Sequence, residues 1–143
     1  FKWDIEKVIV LEDKNTVIFE VNKQGFSKLF KYNVQDDLLE SLDFYSRGVI
    51  HSLVNSNDKL YVLYSGMVTP HAVYEFDLTK NSTVKLFGNE DIDIEIQTMH
   101  ATYPSFDGLD VPYYLYEQKG SQRGTAIHVH GGPESQARPE FNE

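Results

Sequence analysis

Thr16-Val17-Ile18-Phe19-Glu20-Val21 and Lys28-Leu29-Phe30-Lys31-Tyr32-Asn33-Val34 flank the turn cluster Asn22-Lys23-Gln24-Gly25. Both flanks are rich in β-branched and aromatic residues, so the stretch predicts a β-hairpin. The arrangement returns downstream, where Leu60-Tyr61-Val62-Leu63-Tyr64 and Ala72-Val73-Tyr74-Glu75-Phe76-Asp77-Leu78 stand either side of Gly66 and Pro70. A constant offset of 44 residues places Val17 on Tyr61, Ile18 on Val62, Phe19 on Leu63, Phe30 on Tyr74, Tyr32 on Phe76 and Val34 on Leu78. The preceding turn, Asp13-Lys14-Asn15, falls on Asn57-Asp58-Lys59, and Ile9-Val10 falls on Leu53-Val54.

A repeat of about 40–50 residues with four strands per unit is what β-propeller blades show. The second strand of each unit is apolar on both pleat faces, and blades stacked face to face supply cover on both sides. Thr83-Val84-Lys85-Leu86-Phe87 reads as a fourth strand. Its counterpart, Asp37-Leu38-Leu39-Glu40-Ser41-Leu42, suits a strand or a turn or two of helix equally well. Two unrelated meanders in a sandwich are the alternative to blades. A propeller needs about four to eight blades, so two leave apolar faces open. Other blades, or a second copy of the chain, are expected to cover them.

Composition narrows the function. The 143 residues carry 13 Lys+Arg against 22 Asp+Glu, a net charge of −9, which argues against nucleic acid or an anionic membrane as partner. With no cysteine, a disulfide framework, a thiol nucleophile and a thiolate metal site are all excluded. No apolar run approaches the roughly 18 residues of a spanning helix, and Phe1-Lys2-Trp3-Asp4 has no signal-peptide character. A cytoplasmic protein is expected. The chain opens without Met, so an internal fragment of a longer product is expected too.

After Gly88-Asn89-Glu90-Asp91 the repeat stops. Ile92, Ile94 and Ile96 alternate with acids, and an extended stretch continues through Tyr103. Ser105-Phe106-Asp107-Gly108-Leu109 contains Asp-Gly, a hairpin signal, and Val111-Pro112-Tyr113-Tyr114-Leu115-Tyr116 is the return strand. A polar loop, 119–124, leads to a further predicted strand, Thr125-Ala126-Ile127-His128-Val129-His130, which runs into Gly131-Gly132-Pro133.

That last turn carries the chemistry. Acyl transfer develops a negative oxygen, which backbone N–H groups free of intrachain bonds must meet. Glycines after a strand let a substrate come close to the main chain. A strand followed by His-Gly-Gly matches the oxyanion loop of α/β-hydrolases, which lies after the third strand. Counted from residue 95, Thr125–His130 is the third.

The run Tyr103-Pro104-Ser105-Phe106-Asp107-Gly108-Leu109, the Pro-Tyr-Tyr-Leu-Tyr strand and Ile127-His128-Val129-His130-Gly131-Gly132-Pro133-Glu134-Ser135-Gln136 together resemble the prolyl oligopeptidase family of serine peptidases. The resemblance is greatest to the acylaminoacyl-peptidase-like branch with His-Gly-Gly-Pro. It implies a propeller followed by an α/β-hydrolase domain, and short peptides as substrates. It also implies that the Gly132 N–H is an oxyanion donor, with Gly131 and His130 as loop support. Hydrolase triads follow the oxyanion loop in the order Ser, Asp or Glu, His. Only ten residues follow Pro133 here and there is no Gly-x-Ser-x-Gly, so nucleophile and base are absent from this chain.

The expected fold class is mainly β, with two four-stranded β-propeller blades over 1–88. Residues 89–143 are then the connection and the N-terminal strands of an α/β-hydrolase domain, truncated after the oxyanion loop. The expected function is that of a serine peptidase fragment, inactive alone, needing no cofactor and self-associating through its open faces. A non-catalytic β interaction module is the alternative. His128 and His130 have a spacing that metal hydrolases use, but no further ligand set accompanies them, so no metal is expected. Asn81-Ser82-Thr83 fits a glycosylation sequon in a hairpin turn, and the acidic run 90–95 reads as a solvated linker.

Overall fold

The computed structural model describes residues 2–45, 47–89, 95–120, 124–132 and 134–141. Among these residues the secondary structure is ten strands and no helix. They are β1 (Asp4–Val10), β2 (Thr16–Lys23), β3 (Phe26–Asn33), β4 (Leu38–Ser41), β5 (Gly48–Ser56), β6 (Lys59–Gly66), β7 (Ala72–Asp77), β8 (Ser82–Gly88), β9 (Ile96–Pro104) and β10 (Asp110–Gln118). The first four form an antiparallel meander in chain order, the next four form a second, and β9–β10 is a separate hairpin. The ambiguous stretch at 37–42 is a strand. It pairs Leu39 with Tyr32 and Glu40 with Lys31, satisfying backbone groups of β3 that a helix would leave open.

Turn chemistry shows which residues of the two meanders correspond. Asn33 and Asp77 each accept a backbone N–H with a side-chain oxygen, from Asp36 at 3.0 Å and from Lys80 at 2.9 Å. Asp37 and Asn81 both take a φ of 50°. Val34 donates its N–H to the Asn15 carbonyl, and Leu78 donates to Asp58, each at 2.9 Å. The third and fourth strands therefore match at 44 residues, while Asn15 and Asp58 are 43 apart. Pairing agrees, since Val17 lies opposite Tyr32 and Leu60 lies opposite Phe76.

The constant offset thus fails in the second strand. Val17 matches Leu60 and Phe19 matches Val62, rather than Tyr61 and Leu63. In the first strand Val8 matches Leu53, because these pair with Phe19 and Val62. Loop length is the cause. The Asn57–Asp58 turn is shorter than the 11–15 connection, and the 67–71 connection is longer than the Gln24–Gly25 turn.

A one-residue change of register turns a strand over, so this detail decides which face is which. Leu53, Leu60, Val62, Tyr64, Tyr74 and Phe76 form one face of the second sheet and pack with Ile18 and Leu29 of the first. Phe44 closes this core, meeting Tyr64 edge-on at 5.5 Å and Phe76 at 6.1 Å. The first-sheet counterparts of that face, Val8, Val17, Phe19, Phe30 and Tyr32, lie on the side away from Ile18 and Leu29. Val8 is 53% exposed where Leu53 is 1%. The sheets stack front to back. Each keeps one apolar face outside, marked by Val8 and Val10 on the first and by Val54 and Val84 on the second.

The Asp-Gly turn joins β9 to β10. Gly108 takes a φ of +84° and donates its N–H to Ser105, while Ser105 donates to Leu109 at 2.7 Å. This hairpin sits on the β2–β3 turn. Phe26 meets His100 edge-on at 5.2 Å and Tyr114 at 5.8 Å, and the Tyr114 hydroxyl donates to the Gln24 carbonyl at 3.0 Å.

The third predicted strand, Thr125–His130, is not formed. A strand needs a ladder partner, and among the described residues none pairs with this stretch. Ile127 and Val129 are largely exposed. The acidic residues 90–94, the loop residues 121–123 and Pro133 lie outside the described residues.

Candidate functional site

His130, Gly131 and Gly132 follow one another in exposed, irregular chain. The His130 Nδ1 lies 2.8 Å from the Gly131 carbonyl oxygen. A Cβ on Gly131 would meet nothing within 4 Å, and one on Gly132 would meet the Glu134 nitrogen at 3.0 Å. Neither glycine is in the left-handed region. Their contribution here is an open main chain that another molecule can approach, not a special φ. Among the described residues, no hydrogen bond ties 124–132 to either sheet.

The following segment is held much more firmly. Arg138 donates from Nε to the Gly25 carbonyl at 3.0 Å, from Nη1 to both Glu6 carboxylate oxygens at 3.0 and 3.1 Å, and from Nη2 to Ser27 Oγ at 3.1 Å. Pro139 beside it is fully buried. Asn22 donates its side-chain amide to Gln136 at 2.9 Å. The Ser27 hydroxyl in turn donates to Glu20 and accepts the Ile50 N–H, each at 2.9 Å, so all its capacity is used. This node joins the first sheet, the start of β5 and residues 136–140. Burial raises the Glu20 carboxyl above its ordinary range, with the Ser27 hydrogen bond opposing the shift.

Two further groupings lie nearby. His51 and His71 have ring centroids 4.5 Å apart, and His51 Nε2 is 2.9 Å from Ser65 Oγ and 3.8 Å from a Glu140 carboxylate oxygen. Burial, then the neighbouring His71, lowers the His51 pKa. A cavity of about 450 Å³ is lined by Lys23, Lys28 and Arg47 together with Phe26, Met67 and His100. Burial and repulsion from Lys23 and Arg47 lower the Lys28 ammonium. Sequence reading missed both groupings and Arg138 alike. Their members are scattered over the chain and share no motif; Arg138, the only basic residue after the Gly-Gly turn, is the one signal that could have been weighed.

The arrangement can be set beside known proteins. Over 85% of its length the chain superposes on AtxE2 isopeptidase, with a TM-score of 0.70 and 16% identity, covering 20% of that chain. Over 83% it superposes on a prolyl endopeptidase, with a TM-score of 0.65 and 18% identity, covering 18% of that chain. Oligopeptidase B from Trypanosoma brucei matches over 85%, with a TM-score of 0.61 and 20% identity, covering 19% of its length. In fold, the chain is similar to part of these peptidases. At such identities the likeness is one of fold, and the chain spans about a fifth of the length of the solved chains it matches. No protein-family model and no curated protein sequence matches it. No helix among the described residues is long and apolar enough to cross a membrane.

Proposed function

We propose that this chain is part of a serine peptidase of the prolyl oligopeptidase type, of the acylaminoacyl-peptidase-like branch. In this reading residues 1–88 are two blades of its propeller. Residues 89–143 are the connection and the N-terminal part of an α/β-hydrolase domain, as far as the oxyanion loop. The fold likeness to three peptidases over 83–85% of the chain carries the reading. Front-to-back stacking supports the blade assignment, because rotation about an axis gives every sheet the same two faces.

The whole protein hydrolyses short peptides through an acyl-enzyme. The Gly132 N–H is one donor to the tetrahedral oxyanion, the other being the N–H after the nucleophile. His130 and Gly131 shape the loop, and the propeller restricts entry to short chains. A cytoplasmic location belongs to the same reading and rests on composition alone. Residues 1–143 by themselves are inactive, since no serine here sits in a Gly-x-Ser-x-Gly elbow. On their own they bind a second copy through the outer sheet faces.

Reading the gene beyond Glu143 tests this directly. A Gly-x-Ser-x-Gly followed by Asp and His is expected, and a stop codon favours a non-catalytic β module instead. A serine-reactive fluorophosphonate probe is expected to label the longer protein and not the 143-residue chain. Labelling of the chain would refute the assignment.

A further inference from the structure

We propose that Arg138 is a positioning residue that sets the Gly132 loop from the first sheet. The inference rests on the reading of Gly132 as an oxyanion donor. Residues 124–132 have no ladder partner among the described residues, and in the proposed hydrolase domain they form the strand that enters the loop. The firm support lies on the other side. Arg138 is six positions after Gly132, a tether of at most about 20 Å.

The node at Arg138 is built for rigidity. A guanidinium presents donors in a fixed fork, and here three nitrogens make four hydrogen bonds to three partners on the first sheet and its turn. Its side chain is only 19% exposed, so these bonds face little competition from water. Glu6 is held in place by Asn22, whose amide donates to Oε1 at 3.1 Å. Ser27 is held by Glu20 and by the Ile50 N–H of the second sheet. Gly25 presents its carbonyl from a two-residue turn in which Gln24 and Gly25 both have positive φ. Pro139, with its fixed φ, is buried against that turn. Any movement of the first sheet relative to the segment after Gly132 must break this node. The geometry therefore couples the oxyanion donor to the sheet most distant from it in sequence.

Hydrogen exchange on the 143-residue chain and kinetics on the longer protein test the proposal separately. Arg138→Ala is expected to raise amide exchange across 134–141 by about tenfold or more, with β2, β3, β6 and β7 unchanged. Arg138→Lys and Glu6→Gln, gentler to folding, are expected to give smaller increases in the same segment. Unchanged exchange in all three variants overturns the clamp. In the longer protein, Arg138→Ala is expected to lower kcat by about tenfold to a hundredfold with KM nearly constant, and Arg138→Lys to recover part of it. Raised exchange with an unaltered kcat overturns the positioning role. Gly132→Pro, which removes the N–H, isolates the underlying reading. If it leaves kcat intact, the oxyanion assignment itself fails, whereas exchange still judges the clamp.

Discussion

Replacing Gly25 by Ala perturbs the point where the first hairpin, the β9–β10 hairpin and the Arg138 segment meet. Gly25 has a φ of +88°, where an L-residue with a Cβ is strained by about 1–2 kcal/mol. The added Cβ would also collide with the Tyr114 hydroxyl and touch Pro139 Cδ at 3.5 Å. Tyr114 must then give up its 3.0 Å bond to the Gln24 carbonyl and its edge contact with Phe26. Each of these is worth about 0.5–1.5 kcal/mol. Gly108→Ala is an internal control, because its φ is +84° but nothing lies within 4 Å of its Cβ. Both variants should lose about 1–2 kcal/mol of stability to backbone strain. Only Gly25→Ala should release β10, raising exchange over 110–118 and lowering the Tyr114 hydroxyl pKa from its burial-raised value toward normal. Urea unfolding and segment-resolved hydrogen exchange measure the two parts. Equal exchange over β10 in the two variants would refute the idea that the turn holds the second hairpin.

Phe76→Ala empties a fully buried site and should cost about 3–5 kcal/mol in urea unfolding; a loss near 1 kcal/mol would contradict the core described. Glu20→Gln keeps the acceptor for Ser27 but removes a buried charge. Because folding raises the Glu20 pKa, the native state favours the protonated carboxyl, and stability is lost as pH rises through the folded value. The Gln variant should therefore melt higher than the parent at pH 7 and equally at a pH below the unfolded carboxyl range; the opposite order would mean the charged form is favoured. Front-to-back stacking predicts head-to-tail association of separate chains. Val8→Lys or Val54→Lys alone should each leave the chain monomeric, and an equimolar mixture should stop at a heterodimer in sedimentation. A single variant that still assembles into long oligomers would rule this out.

Local pattern was enough for most of the strands, though not for Leu38–Ser41 or for Thr125–His130, which forms none. Apolar and β-branched runs bounded by Asn, Asp and Gly turns place β2, β3, β6, β7 and the Asp-Gly hairpin because each signal acts within a few residues. Leu38–Ser41 was undecided on pattern, and pairing with β3 made it a strand. The repeat was legible as a period near 44 residues, but not its register. Two connections of different length cancel almost completely over the unit, so an alignment of letters at 44 leaves the second strand one residue out of register and assigns it the wrong face. The site divides in the same way. His130-Gly131-Gly132 stands out in the sequence because its residues are adjacent. Glu6, Gly25, Ser27 and Arg138 have no local signature, since 132 residues separate the first from the last. Sequence alone therefore placed most of the strands and the approximate repeat, and it singled out the His130-Gly131-Gly132 turn. Tertiary structure decided which sheet faces are covered and which distant groups hold Arg138, because packing and long-range hydrogen bonds depend on distance in space, not along the chain.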